Sequence, residues 1–155
     1  MRLIRRISIC VLPLLFAAAA CDEPTASNDP GVLTGQLNGA EWDGDAVVVI
    51  MNDTVGIFSS SRAADGTERH LAFFAVAEGP GEYSLLTDLS RYDETVGGDL
   101  ITYSAAVTGG TVTFSSLGRG NLLASGTTSG VTLQGSRGAW TFTGGEFTGM
   151  VEVQR

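Results

Sequence analysis

Three features of this sequence predict an all-β fold, an antiparallel sandwich or barrel of about nine strands joined by short Gly-rich hairpins. Beyond residue 20 no stretch keeps helical periodicity for about ten residues without a glycine break. Apolar and polar residues instead alternate in short runs, as they do along strands with one buried face. Glycine occupies 21 of the 155 positions, and its dipeptides separate those runs where hairpins need positive φ.

The elements follow in order. Residues 34–37 lead into Asn38-Gly39, a strong two-residue hairpin signal. The β-branched run 45–51 (DAVVVIM) is a strand, and Asn52-Asp53 turns it into a second at 54–62. Asp65-Gly66 turns again into 68–77. Within that strand LAFFAV (71–76) is apolar at both parities, which predicts a central strand covered on both faces. Gly79-Pro80-Gly81 ends it, and 82–86 starts the next. The polar segment 88–98 reads as the longest loop, with a short helical turn at 89–93. Strands follow at 99–107 and 111–117, separated by Gly109-Gly110. Leu123, Val131 and Leu133 share one parity, so 121–134 is one strand kinked near Ser129-Gly130. Residues 139–143 and 147–153, split by Gly144-Gly145, complete the set.

The first twenty residues have a different character. Arg2, Arg5 and Arg6 precede an uncharged run over 7–20, too short for the roughly 20 helical residues a bilayer requires. Cationic start, short apolar run and small residues at the end are the parts of a secretory signal. Ala18-Ala19-Ala20-Cys21 then resembles the bacterial lipobox, with Ala at the first position where that motif often has Leu. The resemblance implies that the chain is cut before Cys21, whose thiol takes a diacylglycerol and whose new amino group is acylated with a chain such as palmitate. The alternative is an ordinary signal with A-x-A cleavage and an incidental cysteine. Residues 1–20 are thus read as a lipoprotein signal, 21–30 as a flexible polar tether with two prolines, and 31–155 as a single all-β domain.

This processing sets both chemistry and charge. Cys10 leaves with the signal and Cys21 carries lipid, so the mature chain keeps no thiol for a disulfide, redox or zinc site. Two or three acyl chains anchor firmly where a single one binds marginally. The chain has no lysine; three of its nine arginines leave while all 17 acids stay, taking the net charge from −8 to −11. Such a surface repels phosphate, which excludes nucleic acid as a partner. The expected location is the bacterial cell envelope, anchored to the inner or outer membrane with the domain outside the cytoplasm. Asp22 after the cysteine tends to hold double-membrane lipoproteins at the inner one.

The body carries a second resemblance. Asn38, Gly39 and Trp42, the run 79–85 (GPGEYSL), Gly110 to Phe114 and Trp140 to Gly149 (WTFTGGEFTG) resemble a family of small secreted or lipidated bacterial β domains of unknown function. The resemblance implies export and an all-β fold, and brings no activity with it.

Candidate chemistry is sparse. His70 is the single histidine, at the start of a strand, with no G-x-S-x-G elbow to serve. Glu41 with Asp43 or Asp45, and Glu78 with Glu82, are carboxylate pairs of the kind glycosidases use. Asp43, Asp45 and Asp53, or Asp88, Asp93, Glu94 and Asp99, could offer oxygens to calcium, though neither set matches an EF-hand. Trp42, Tyr83, Tyr92, Tyr103 and Trp140 could stack on sugars if exposed. Tyr92, in the polar loop, is the best placed, and Trp140 reads as core. No catalytic, cofactor or metal site is assigned, which leaves Cys21 lipidation as the one site and the membrane as the one partner. The expected function is a non-catalytic binding or structural module of the envelope. The alternatives are a lipocalin-like small-ligand or glycan carrier and a hydrolase.

Overall fold

A computed structural model describes residues 31–96, 100–120 and 122–154. Cys21, the signal and the tether lie outside the described residues, as does Asp99. Nine strands form one sheet: β1 (Gly31–Leu37), β2 (Ala40–Met51), β3 (Thr54–Arg62), β4 (Glu68–Val76), β5 (Gly81–Ser84), β6 (Arg91–Val96), β7 (Leu100–Ser116), β8 (Leu123–Gly135) and β9 (Gly138–Gln154). The order β5-β7-β6-β4-β3-β2-β1-β9-β8, with β7 also pairing β8, closes the hydrogen bonding into a barrel-like ring. The all-β expectation holds.

Each hairpin signal acts where the backbone requires it. Asn38 and Gly39 take φ of 51° and 80°, the left-handed pair that matches the twist of two antiparallel strands. Gly130, at φ 60°, kinks β8 but leaves it one strand, as expected; the shared face does not hold, because the inward parity switches at the kink and leaves Leu123 exposed while Val131 and Leu133 are buried. Turns at 38–39, 63–67 and 136–137 define one end of the ring, called here the upper end. Asn52-Asp53, the connection 77–80 and residues 117–120 define the lower end.

Four further expectations are corrected. The supposed loop at 88–98 contains β6, and no helical turn spans 89–93; Arg91 to Val96 pairs with both β4 and β7, and those ladders override the polar composition. Gly109-Gly110 and Gly144-Gly145 do not end strands. They sit where register shifts let β7 and β9 run on for 17 residues each. LAFFAV is covered on its inner face alone: Leu71, Phe73 and Ala75 are buried, while Ala72 and Phe74 are half-exposed and Val76 is exposed. Finally, the sheet is not wholly antiparallel.

That last departure matters for the site of chain arrival. β1 is a wedge between β2 and β9, paired antiparallel with both. It begins at Gly31 opposite Ala46. One residue further along, Val47 pairs directly with Met150, and β2 and β9 continue parallel to Met51 and Gln154.

The interior is filled. Trp42, Tyr92, Phe73, Phe114 and Phe142 are all nearly inaccessible, and Leu33, Val48, Ile57, Leu71, Val107 and Leu133 pack around them. Inward glycines make room for these rings: a methyl on Gly126 would strike the Thr113 carbonyl oxygen and the Phe147 ring. Residues 85–90 join β4 to β7 below β6. The Leu86 N–H donates to Phe74 O (2.7 Å), Phe74 N–H to buried Ser90 Oγ (2.8 Å), and Val107 N–H to Ser90 O (3.0 Å).

Candidate binding site

The inward positions at the upper end carry the densest polar chemistry of the described residues. Alternation along β4 that buries Leu71 and Phe73 also turns Arg69 inward. Its Cζ lies 5.1 Å from the centroid of the Trp42 ring, and its Nη2 donates to Ser61 Oγ at 3.0 Å. Arg69 forms no ion pair among the described residues, and its Nε is buried without a hydrogen-bond partner. Across the opening, Arg137 from the β8–β9 turn places its Cζ 4.1 Å from the Tyr103 centroid and its Nη1 2.6 Å from Glu94 Oε2.

Between these guanidinium groups four rings are packed. Trp140 lies 5.3 Å from Tyr103 and 5.6 Å from Tyr92, and Tyr92 meets Trp42 edge-on at 6.3 Å. Trp42 donates through Nε1 to buried Ser59 Oγ (3.1 Å). The Tyr92 hydroxyl donates to Glu94 Oε1 at 3.0 Å. Burial pushes the Tyr92 phenol well above its ordinary value, helped by the hydrogen bond to and the charge of Glu94 and opposed by the two arginines. Trp42, Tyr92 and Tyr103 are buried, so this cluster offers a ligand half-buried Trp140 together with the two guanidinium groups.

Sequence reasoning placed these residues unevenly. Tyr92, expected exposed in a loop, is almost fully buried because it faces inward from β6. Trp140 is half-buried, packed against the core without joining it. Tyr103 is buried and Tyr83 half-buried at the opposite half of the ring. Arg69, Glu94 and Arg137 were missed as a group. The parity of Arg69 with Leu71 and Phe73 was the available signal, whereas the approach of Arg137 to Glu94 depends on ring closure.

The acidic sets do not converge. Asp43 and Asp53 stand toward opposite ends of the ring. Asp93 and Glu94 are consecutive on β6 and so point to opposite faces. Among the described residues no group of three His, Cys, Asp or Glu side chains is arranged to hold a metal.

His70 sits in a row that sequence alone does not reveal. Ser60, His70 and Asp93 lie in register across β3, β4 and β6, and Ser60 Oγ is 3.0 Å from His70 Nδ1. Asp93 is held instead by Arg91 Nε at 2.8 Å. Ser60 lies in mid-sheet, with β2 on one side and β4 on the other. The row is a surface hydrogen bond beside a depression of about 270 Å³.

At the lower end Ile50, Ala77 and Leu117 floor an open cleft of about 370 Å³, rimmed by Asp53, Glu78 and Arg119. Arg119 donates to the Asn52 carbonyl there.

No family model, no curated protein and no solved structure matches the chain. Among the described residues no helix is long and apolar enough to cross a membrane.

Proposed function

We propose that the chain is a lipid-anchored protein of the bacterial cell envelope whose β body is a non-catalytic binding or structural module. The observation that carries this reading is the sequence Ala-Ala-Ala-Cys at 18–21, separated by a polar tether from a body whose first strand begins at Gly31. The filled interior supports action by surface contact, and the aromatic and guanidinium cluster at the upper end is the place where a partner would meet it. Labelled palmitate is expected to enter the full chain expressed in a bacterial host, and Cys21→Ala to abolish it and the detergent-phase partitioning with it. A free thiol at residue 21 of the processed wild type would overturn the anchor. For the contact role, an envelope component crosslinked to the wild type is expected to be lost from a folded Trp140→Ala variant.

A small-ligand carrier is the second reading, favoured by the apolar floor of the lower cleft. Binding of an apolar fluorophore blocked by Leu117→Trp would support it over surface contact.

A further inference from the structure

The outer face of the lower half of the sheet is apolar, although nothing in the described chain covers it. Positions 47, 49 and 51 of β2 point outward, because Ala46, Val48 and Ile50 point in. In register across five strands, Leu123, Met150, Val47, Phe58 and Ala72 form one outward row, which ends at exposed Arg91 of β6. Val49, Gly56 and Phe74 form part of the next, bordered on β9 by exposed Glu152, and the Phe58 and Phe74 rings meet edge-on at 5.3 Å above Gly56. Val49 is 7% exposed yet lies outside the interior core, so this layer already shields apolar surface on the wrong side of the sheet. Val76 and Leu123 at its edges are 48% and 56% exposed.

The position of Gly31 names the occupant. The chain joins the sheet where β1 wedges between β2 and β9, one residue from Val47 and Met150. A methyl at Gly31 would collide with the Thr148 carbonyl oxygen and with Gly149, so β9 packs directly against this first residue of the sheet. Nine residues separate Cys21 from Gly31, a reach of at most about 30 Å. Five strands at about 4.8 Å spacing make the apolar row about 19 Å wide. A lipid group on Cys21 therefore enters its bilayer within reach of this face.

We infer that the outer face of β8, β9, β2, β3 and β4 near Gly31 rests on the phospholipid surface that holds the Cys21 anchor. This placement rests on the lipid-anchored reading above. The partner surface is zwitterionic: a processed chain with net charge −11 gains nothing from anionic headgroups, and the face contributes side-chain burial, its bordering Arg91 being already paired with Asp93.

The test uses the full chain, processed in a bacterial host and reconstituted into phosphatidylcholine vesicles. Single cysteines at Val76→Cys and Leu123→Cys on the face, and at Gln36→Cys on the outer side of β1 near the upper end, carry an environment-sensitive fluorophore. Lipids bearing a spin-label quencher are expected to quench positions 76 and 123 several-fold more than position 36, with blue-shifted emission. Equal quenching at all three, with the parent chain still lipidated and unreactive toward maleimide, would overturn the docking alone. Blue-shifted emission insensitive to the quencher and lost on dilution with unlabelled chain would assign the face to a second copy and overturn it also. Maleimide reaction of the parent chain at Cys21 would overturn the anchor, and the docking with it.

Discussion

Tyr92 gives its hydroxyl proton to Glu94, two residues along the same strand, at 3.0 Å. Both face inward from β6, and Arg137 holds the second oxygen of that carboxylate at 2.6 Å. The hydrogen bond requires the phenol to stay neutral, and burial reinforces that requirement.

A pH dependence follows from this pair. Because the folded Tyr92 holds its proton above the ordinary tyrosine value of about 10, the fold keeps the full benefit of the neutral phenol below that pH. The benefit declines as pH rises past about 10, where the unfolded chain ionises first. Thermal unfolding should therefore fall more steeply above that pH in the wild type than in Tyr92→Phe. Phenolate absorbance from Tyr92 should appear only as the protein unfolds. Its appearance in the folded protein near the ordinary value would contradict the assignment.

Glu94 itself separates acceptor from charge. Glu94→Leu strands the buried Tyr92 hydroxyl, at a cost of about 1–3 kcal/mol, while exposed Arg137 turns to water. Glu94→Gln keeps an acceptor for Tyr92 and should lose clearly less. Urea unfolding of both variants decides it: equal losses would mean the ion pair with Arg137, and not the phenol, sets the energy.

Ser59, which pairs with Ala46 across the β2–β3 ladder, is the buried partner of Trp42 Nε1, 17 residues away in sequence. Ser59→Ala leaves that indole N–H in an inaccessible position with no acceptor, so a loss of about 1–3 kcal/mol is expected in the urea midpoint with the slope unchanged. A neutral outcome would indicate that the indole finds another acceptor.

The fold was legible to the extent that its signals are local. Asn38-Gly39 and Asn52-Asp53 each depend on a few neighbouring residues, and the structure bears them out, whereas the kink at Gly130 turns Leu123 away from the face shared by Val131 and Leu133. Misreadings arose where ladders overrule composition. Arg91, Asp93 and Glu94 are polar like a loop, yet two flanking strands supply the hydrogen bonds that make β6 extended. Pairs of glycines look like ends but serve as bulges inside strands whose partners continue past them. The upper cluster was half-legible. Arg69 shares the inward parity of Phe73, but the contact of Arg137 with Glu94 spans 43 residues and exists only once β7 and β8 close the ring. Nothing in the order of residues states that closure.

Glycine content can be tested as interior space. Gly126 lies between buried Ala124 and Thr128 on β8 and therefore faces inward, where an added methyl would meet the Thr113 carbonyl oxygen and the edge of Phe147. Backbone oxygen in a paired strand does not yield as a flexible side chain does. Gly126→Ala should therefore cost at least the roughly 1–3 kcal/mol of ordinary overpacking. Gly79, by contrast, has open space where its methyl would go and no positive φ, so Gly79→Ala should fall within about 0.5 kcal/mol of wild type. Denaturant melts of the two variants measured side by side give the comparison. Similar small losses would mean that β7 and β8 separate readily at this point, and that the ring closes less tightly than the pairing of Phe114 with Gly126 implies.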